Sequence, residues 1–320
     1  SNPYFIIYIS RNDKNMQQII DNIKFTIDDI DILQLPAWDC LPYDRISPAK
    51  EIISKRIECL VDLTTRDKAE NSSKKTILIT TSNALIQKLP PQHIWEKHII
   101  NISVDANLAR QELLNFLVYN SYIRSDNAMT AGEFAVRGSI IDIVPYNDGT
   151  GYRIDFFGDM VESIKIFDPI TQISSKKLNN LTLYPANEII LSQKFIDNFC
   201  KKYPHIFGPV NQDDDLYHNI QNGVSSPGME HWLPLFYDNL SSIYDYIPQD
   251  SLIIFDHLAS EAINERQMMI DEYYQARIDA YQNGFYNEII YHPVKPNLLF
   301  HNVAEIDDLI AKNNCQKVIF

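Results

Sequence analysis

The sequence predicts a multidomain α/β protein in which an α+β domain carrying an antiparallel sheet is inserted into a parallel α/β domain. Three observations predict it. Continuous apolar runs alternate with helical patterns over the first hundred residues, as buried parallel strands and their crossover helices do. Residues 132–167 instead alternate apolar with polar positions between Gly and Pro turn signals, the signature of short antiparallel strands. After residue 250 the apolar-run pattern returns, as though the chain came back to the first sheet.

In chain order, Tyr4 to Ile9 reads as a strand buried on both faces, followed by a helix capped by Asp13 with Met16, Ile19, Ile20 and Ile23 along one side. Ile32 to Leu35 is a second strand. Ser47 and Pro48 offer a cap and first-turn proline for a helix presenting Ile52, Ile53, Ile57 and Leu60. Thr76 to Thr80 is a third strand, with Ser82 capping a helix through Leu85, Ile86 and Leu89. Ser103 or Asp105 should cap a helix carrying Leu108, Leu113, Phe116 and Leu117.

The antiparallel stretch divides into strands at about 134–144, 152–157 and 161–167. Period-2 alternation puts Tyr152, Ile154 and Phe156 on one face and Arg153, Asp155 and Phe157 on the other, with Arg137 at the bend before Ser139 able to join them. A guanidinium, a carboxylate and a large aromatic on a wet face suit a protein-binding surface. The competing reading is an Arg-Asp cross-strand pair with Phe157 tucked under a loop. The two stand equal on pattern alone.

Beyond it, Asp168-Pro169 marks a turn and Leu181 to Tyr184 a strand ending at Pro185. Asp213, Asp214 and Asp215 read as a solvated run, since the spacing and glycine of a calcium loop are missing. Trp232, Leu235, Phe236 and Tyr237 read as core. Leu252 to Asp256 is a strand. Ala262 to Tyr281, closed by Gly284, is a helix on which Asp271 and Glu272 form a solvated pair rather than the metal-binding end of a strand. Lys317 to Phe320 begins another strand. The expected domains are 1–103, 104–188 and 189–320, the last returning to complete the first.

With 45% hydrophobic and 22% charged residues, the composition is that of a globular protein rather than a disordered one. No apolar run is long enough to span a membrane, and no basic-then-apolar leader opens the chain, so a cytoplasmic location is expected. The four cysteines lie far apart without a CxxC pair, which suggests reduced thiols. The net charge of −14 is uneven: residues 1–103 are neutral, 104–188 carry −4 and 189–320 carry −10. Such a surface should bind DNA poorly by itself. The nine glycines all lie at or beyond Gly132 and none precedes a Lys, so the GxxxxGK[ST] phosphate cradle is absent and no cofactor is expected in these residues. The eight histidines form no HExxH, and neither GxSxG nor an activated-cysteine context occurs.

The run GEFAVRG, DIVP, YRIDFFGD and IKIFDP resembles the UvrA-interaction domain of the transcription-repair coupling factor (Mfd) family, whose N-terminal module is similar to the excinuclease subunit UvrB. LPAWDCLPYDRISPAKEIISKR, from Leu35 to Arg56, and GVSSPGMEHWLPLFYDN, from Gly223 to Asn239, resemble the same family independently. The resemblance implies a degenerate helicase-like (RecA-like, UvrB-like) domain at 1–103 that has lost its ATPase motifs, a UvrA-interaction domain at 104–188, and a UvrB domain 1B-like segment at 189–320. It implies that Arg137, Arg153 and Phe157 carry UvrA binding. Asp155, where UvrB-like proteins have Glu, and Arg124, where they use another Arg, are carried over with them.

It further implies a parent that recognises stalled RNA polymerase and moves along double-stranded DNA with ATP and magnesium held beyond residue 320, this part recruiting UvrA for nucleotide excision repair without chemistry of its own. Replacing Arg153 or Phe157 by Ala should then weaken UvrA binding by roughly 1–4 kcal/mol and leave folding intact. The alternatives are a fragment of a UvrB-type or helicase ATPase, and an autoinhibitory clamp on the parent's motor.

Overall fold

The computed structural model describes residues 2–66, 75–146, 149–282 and 291–320. Its strands, in chain order, are β1 (Asn2–Ser10), β2 (Asp31–Leu35), β3 (Thr76–Thr81), β4 (Ile100–Ser103), β5 (Ile123–Arg124), β6 (Glu133–Arg137), β7 (Ile140–Val144), β8 (Gly151–Phe157), β9 (Met160–Phe167), β10 (Ser174–Leu178), β11 (Asn180–Leu183), β12 (Ser251–Phe255) and β13 (Gln316–Ile319).

Five of them form a parallel sheet in the order β13-β12-β1-β3-β2. Strands buried on both faces must be apolar throughout, and Phe5, Ile7, Ile9, Leu33, Leu35, Leu78, Ile253 and Phe255 face the larger core. The helix Lys50–Arg66 and the segments 189–247, 259–274 and 291–310 pack there, joined by Trp38, Trp95, Trp232, Leu235, Phe236 and Tyr237. The other face is closed by Met16 and Ile20 of the helix Asp13–Thr26 against Ile77 and Ile79. That helix is capped by Asn12, whose side chain accepts from the Asn15 amide at 3.0 Å, rather than by Asp13. One of the free amides at the helix N-terminus after β1 is thus taken up by the chain itself.

The second sheet has six strands, β10-β9-β8-β7-β6-β5, antiparallel throughout except for the short edge pair β5–β6. The single strand expected at 134–144 is two, because Gly138 takes a positive φ of 59° and turns the chain back so that Arg137 pairs with Ile140. On one side of this sheet Phe134, Ile141, Ile143, Ile154, Phe156, Val161 and Ile164 pack against Leu113 and Leu117 of the helix Arg110–Tyr119 and against Ile102, Leu181 and Leu183 of the β4–β11 pair.

Four further local expectations differ from the structure. Ser47 does not cap the helix Lys50–Arg66; its hydroxyl donates to Glu230 and accepts from the Gly228 amide, while Asp39 takes the Ala49 amide. Ser103 lies in β4 and Asp105 sits at φ 65°, so the helix Arg110–Tyr119 starts at Ala109 without a side-chain cap. The helix after β3 is capped by Thr81, which accepts from the Ala84 amide, rather than by Ser82, and is short, Ser82–Leu85, because the chain then makes bridges at Gln87 and Leu89. Asp214 is buried, capping the helix Asp215–Gln221 and accepting from the Tyr203 hydroxyl at 2.6 Å, so the acidic run is not wholly solvated.

The stretch around Asp271 and Glu272 is helical: both are exposed within Ala259–Gln282, with Ile263 and Ile270 buried. Its expected stop at Gly284 lies outside the described residues.

A candidate protein-binding face on the antiparallel sheet

Strand pairing decides what the polar face of this sheet can do. Asp142, at the centre of the apolar β7, lies in register with Arg153 of β8. Their side chains therefore leave the sheet on the same side, in the closest position two strands allow. Arg153 Nε donates to Asp142 Oδ1 at 2.7 Å and Nη2 to Oδ2 at 2.9 Å, a bidentate pair. Arg137, at the end of β6, reaches the same carboxylate from the other side, its Nη2 at 3.3 Å from Oδ2. Asp142 is 1% exposed, so one desolvated carboxylate orients two guanidiniums.

The turn between β9 and β10 completes the frame. Asp168 accepts from the Ile170 and Thr171 amides and folds the turn, and Gln172 sits at φ 61°. Its side-chain oxygen accepts from Arg137 Nη2 at 2.9 Å, its amide nitrogen donates to the Ala128 and Pro169 carbonyls, and its own carbonyl accepts from Arg153 Nη1 at 3.3 Å. Arg153 also donates to Ser174 Oγ and lies over the Phe167 ring, 4.9 Å from its centroid. The hydrogen bond to Asp142 and its charge raise the Arg153 pKa above the ordinary guanidinium value. Arg137 is 46% and Arg153 19% exposed at the side chain, so both are positioned from behind and still open to a partner.

Further along β8 a bulge falls between Asp155 and Phe156 in the pairing with β9. The extra residue, Glu162, is on β9, so β8 keeps its alternation: Phe156 lies in the core with Ile154, and Phe157, beside the Gly158 turn, stands 74% exposed opposite Met160. The tip is held by Asp159, whose carbonyl accepts from the Leu108 amide at 2.8 Å and whose side chain accepts from the Arg110 amide. An exposed ring on a fixed hairpin loses little entropy when a partner covers it. Asp155 does not pair with Arg153; it accepts from Ser139 Oγ at 2.7 Å.

Of the five residues singled out in the sequence, Arg137, Arg153, Asp155 and Phe157 share one face. The cross-strand Arg-Asp pair of the competing reading exists, through Asp142, but Phe157 is not tucked away. Arg124 stands apart, exposed on the edge strand β5 in register with Phe134, and takes no part in the hydrogen bonds around Asp142. Asp142 and Gln172 were missed. The first had a signal, a carboxylate between Ile141 and Ile143 in a strand that must bury its neighbours; the second had none, because its role comes from a turn closing over the sheet.

Among the described residues no three His, Cys, Asp or Glu side chains gather as metal ligands, and no helix is long and apolar enough to cross a membrane.

The UvrB interaction domain family model matches residues 100–189, the span of this sheet and its flanking strands. The chain is 37% identical over 308 residues to the transcription-repair-coupling factor of Rickettsia bellii, covering 96% of this chain and 27% of that protein. It is 29% identical over 282 residues to that of Haemophilus influenzae, covering 87% of this chain and 23% of that protein, and 28% identical over 250 residues to that of Escherichia coli, covering 78% and 21%. The chain thus spans about a quarter of the length of these relatives.

Proposed function

We propose that the antiparallel sheet binds UvrA and thereby links stalled transcription to excision repair, a reading supported by the match of residues 100–189 to the UvrB interaction domain model and by the similarity of the chain to transcription-repair-coupling factors. Phe157 is the apolar anchor. Arg137 and Arg153 donate to carboxylates or carbonyls of UvrA, held at the required angle by Asp142. This part of the protein recruits; the longer parent engages RNA polymerase and moves on double-stranded DNA with ATP and magnesium bound elsewhere.

The observation that carries the reading is a large aromatic, 74% exposed on a strand of the sheet, sharing its face with two arginines fixed by a buried carboxylate. Aromatic and arginine side chains that are rigid before binding supply most of the energy at interfaces. Calorimetric titration of UvrA into the chain and into its Phe157→Ala variant tests the proposal. Binding weakened at least tenfold with an unchanged circular dichroism spectrum supports it; equal affinity rejects it.

A further inference from the structure

The register of the second sheet places more charge on this face than the arginines. Asp142 of β7, Arg153 of β8, Lys165 of β9 and Lys177 of β10 are successive cross-strand partners and form a single row. The adjacent row holds Arg137, Ile140, Asp155 and Ser163. Four of the seven cations in residues 104–188 therefore stand side by side, although this segment is acidic as a whole. Asp142 already accepts from both arginines and Asp155 from Ser139, so the two rows keep two cations in excess.

Lysines in direct register repel, and a sheet gains nothing by aligning them. A lysine on an edge strand can block unwanted strand addition, which would explain Lys177 on β10. It does not explain Lys165, which sits on the interior strand β9 and is only half-exposed. An anion from outside would relieve the repulsion, and the row leads directly from the Arg153 pair.

We propose that Lys165 and Lys177 continue the UvrA-binding face as a cationic row that receives an acidic segment of UvrA. This rests on the reading of the Phe157 face as the UvrA site and adds a second, electrostatic contact to it. Phe157 supplies apolar area, and the row supplies steering and orientation, with a strong dependence on salt.

The test is titration of UvrA into the chain, the Lys165→Glu/Lys177→Glu double variant, the corresponding double Gln variant and Phe157→Ala, at low and high salt, with circular dichroism on each. Expected are a loss of about tenfold or more for the Glu pair at low salt, a smaller loss for the Gln pair, and a flatter salt dependence for both. If both lysine variants bind UvrA as tightly as the parent while Phe157→Ala does not, the cationic row is rejected and the UvrA site stands. If Phe157→Ala also binds normally, the UvrA site itself is rejected. A duplex DNA titration is run in parallel: lysine variants that lose DNA affinity but keep UvrA affinity overturn the proposal in favour of a phosphate backbone as the row's ligand.

Discussion

Arg153 and Asp142 face each other across β8 and β7, with both guanidinium-carboxylate bonds formed, at 2.7 and 2.9 Å, over a carboxylate that is almost fully buried. The pair belongs to the fold and to the proposed binding face at once. Phe157, on the same strand, belongs to the face alone.

That difference separates two substitutions expected from the sequence to behave alike. Phe157→Ala removes an exposed ring and should change folding stability by less than about 0.5 kcal/mol while weakening UvrA binding by about 1–4 kcal/mol. Arg153→Ala leaves Asp142 with Arg137 as its remaining ion-pair partner and should also destabilise the fold by about 1–3 kcal/mol. Urea denaturation of both variants beside calorimetry checks this; equal stabilities would show that the pair contributes nothing to folding.

A second buried ion pair ties the helix Lys50–Arg66 to the segment returning from the antiparallel sheet. Arg56 donates to Glu188 at 2.6 and 3.2 Å and to the Pro36 carbonyl, and Trp38 Nε1 donates to the same Glu188, with both charged side chains fully buried. Glu188→Ala strands a buried guanidinium and should cost about 3–5 kcal/mol, whereas the double variant Arg56→Met/Glu188→Leu should lose less. Comparing urea midpoints decides it, and a double variant less stable than Glu188→Ala would contradict the argument.

Two glycines on the same sheet should differ in tolerance. At Gly132 φ is 83° and a Cβ would lie 1.9 Å from the Tyr146 hydroxyl, whereas at Gly138 φ is 59° and nothing lies within 4 Å. Gly138→Ala carries only the left-handed penalty of about 1–2 kcal/mol. Gly132→Ala adds displacement of Tyr146 and should show the larger drop in Tm. The reverse order would mean that Tyr146 moves freely.

Acid sensitivity should be traceable in part to His231. Burial against Trp38 and Tyr43 pushes its pKa down from the ordinary 6.5 to about 4. Between those values the unfolded chain takes up a proton that the folded chain refuses. The stability of the neutral ring is therefore complete above about pH 6.5 and is lost as pH falls toward 4, by about 3 kcal/mol from this group. His231→Gln should lose less stability than the parent between pH 7.5 and 4.5 in urea titrations. An equal loss would assign the sensitivity elsewhere.

How far the sequence could be read depended on whether a property was local. Alternation along one strand places Phe156 inward and Phe157 outward, and apolar runs reveal β1, β3 and β12 as buried strands, because side-chain direction follows from backbone geometry within a few residues. Ser47 and Asp214 show where local reading stops. Each looked like a residue with a local part, a helix cap or a solvated charge, and each is engaged by groups brought from elsewhere, Glu230 and Gly228 in one case and the Tyr203 hydroxyl in the other.

The amino-acid order by itself therefore determined the α/β architecture, the absence of a Lys-bearing phosphate loop, and the face on which Arg153, Asp155 and Phe157 emerge. Only the tertiary structure decided that Asp142 rather than Asp155 holds both arginines, that Gln172 braces them, and that Lys165 and Lys177 line up behind. The reason is that partner choice across strands follows register, and register is set jointly by the Gly138 turn, the bulge beside Phe156 and the packing of one whole face. None of these can be read from a single strand.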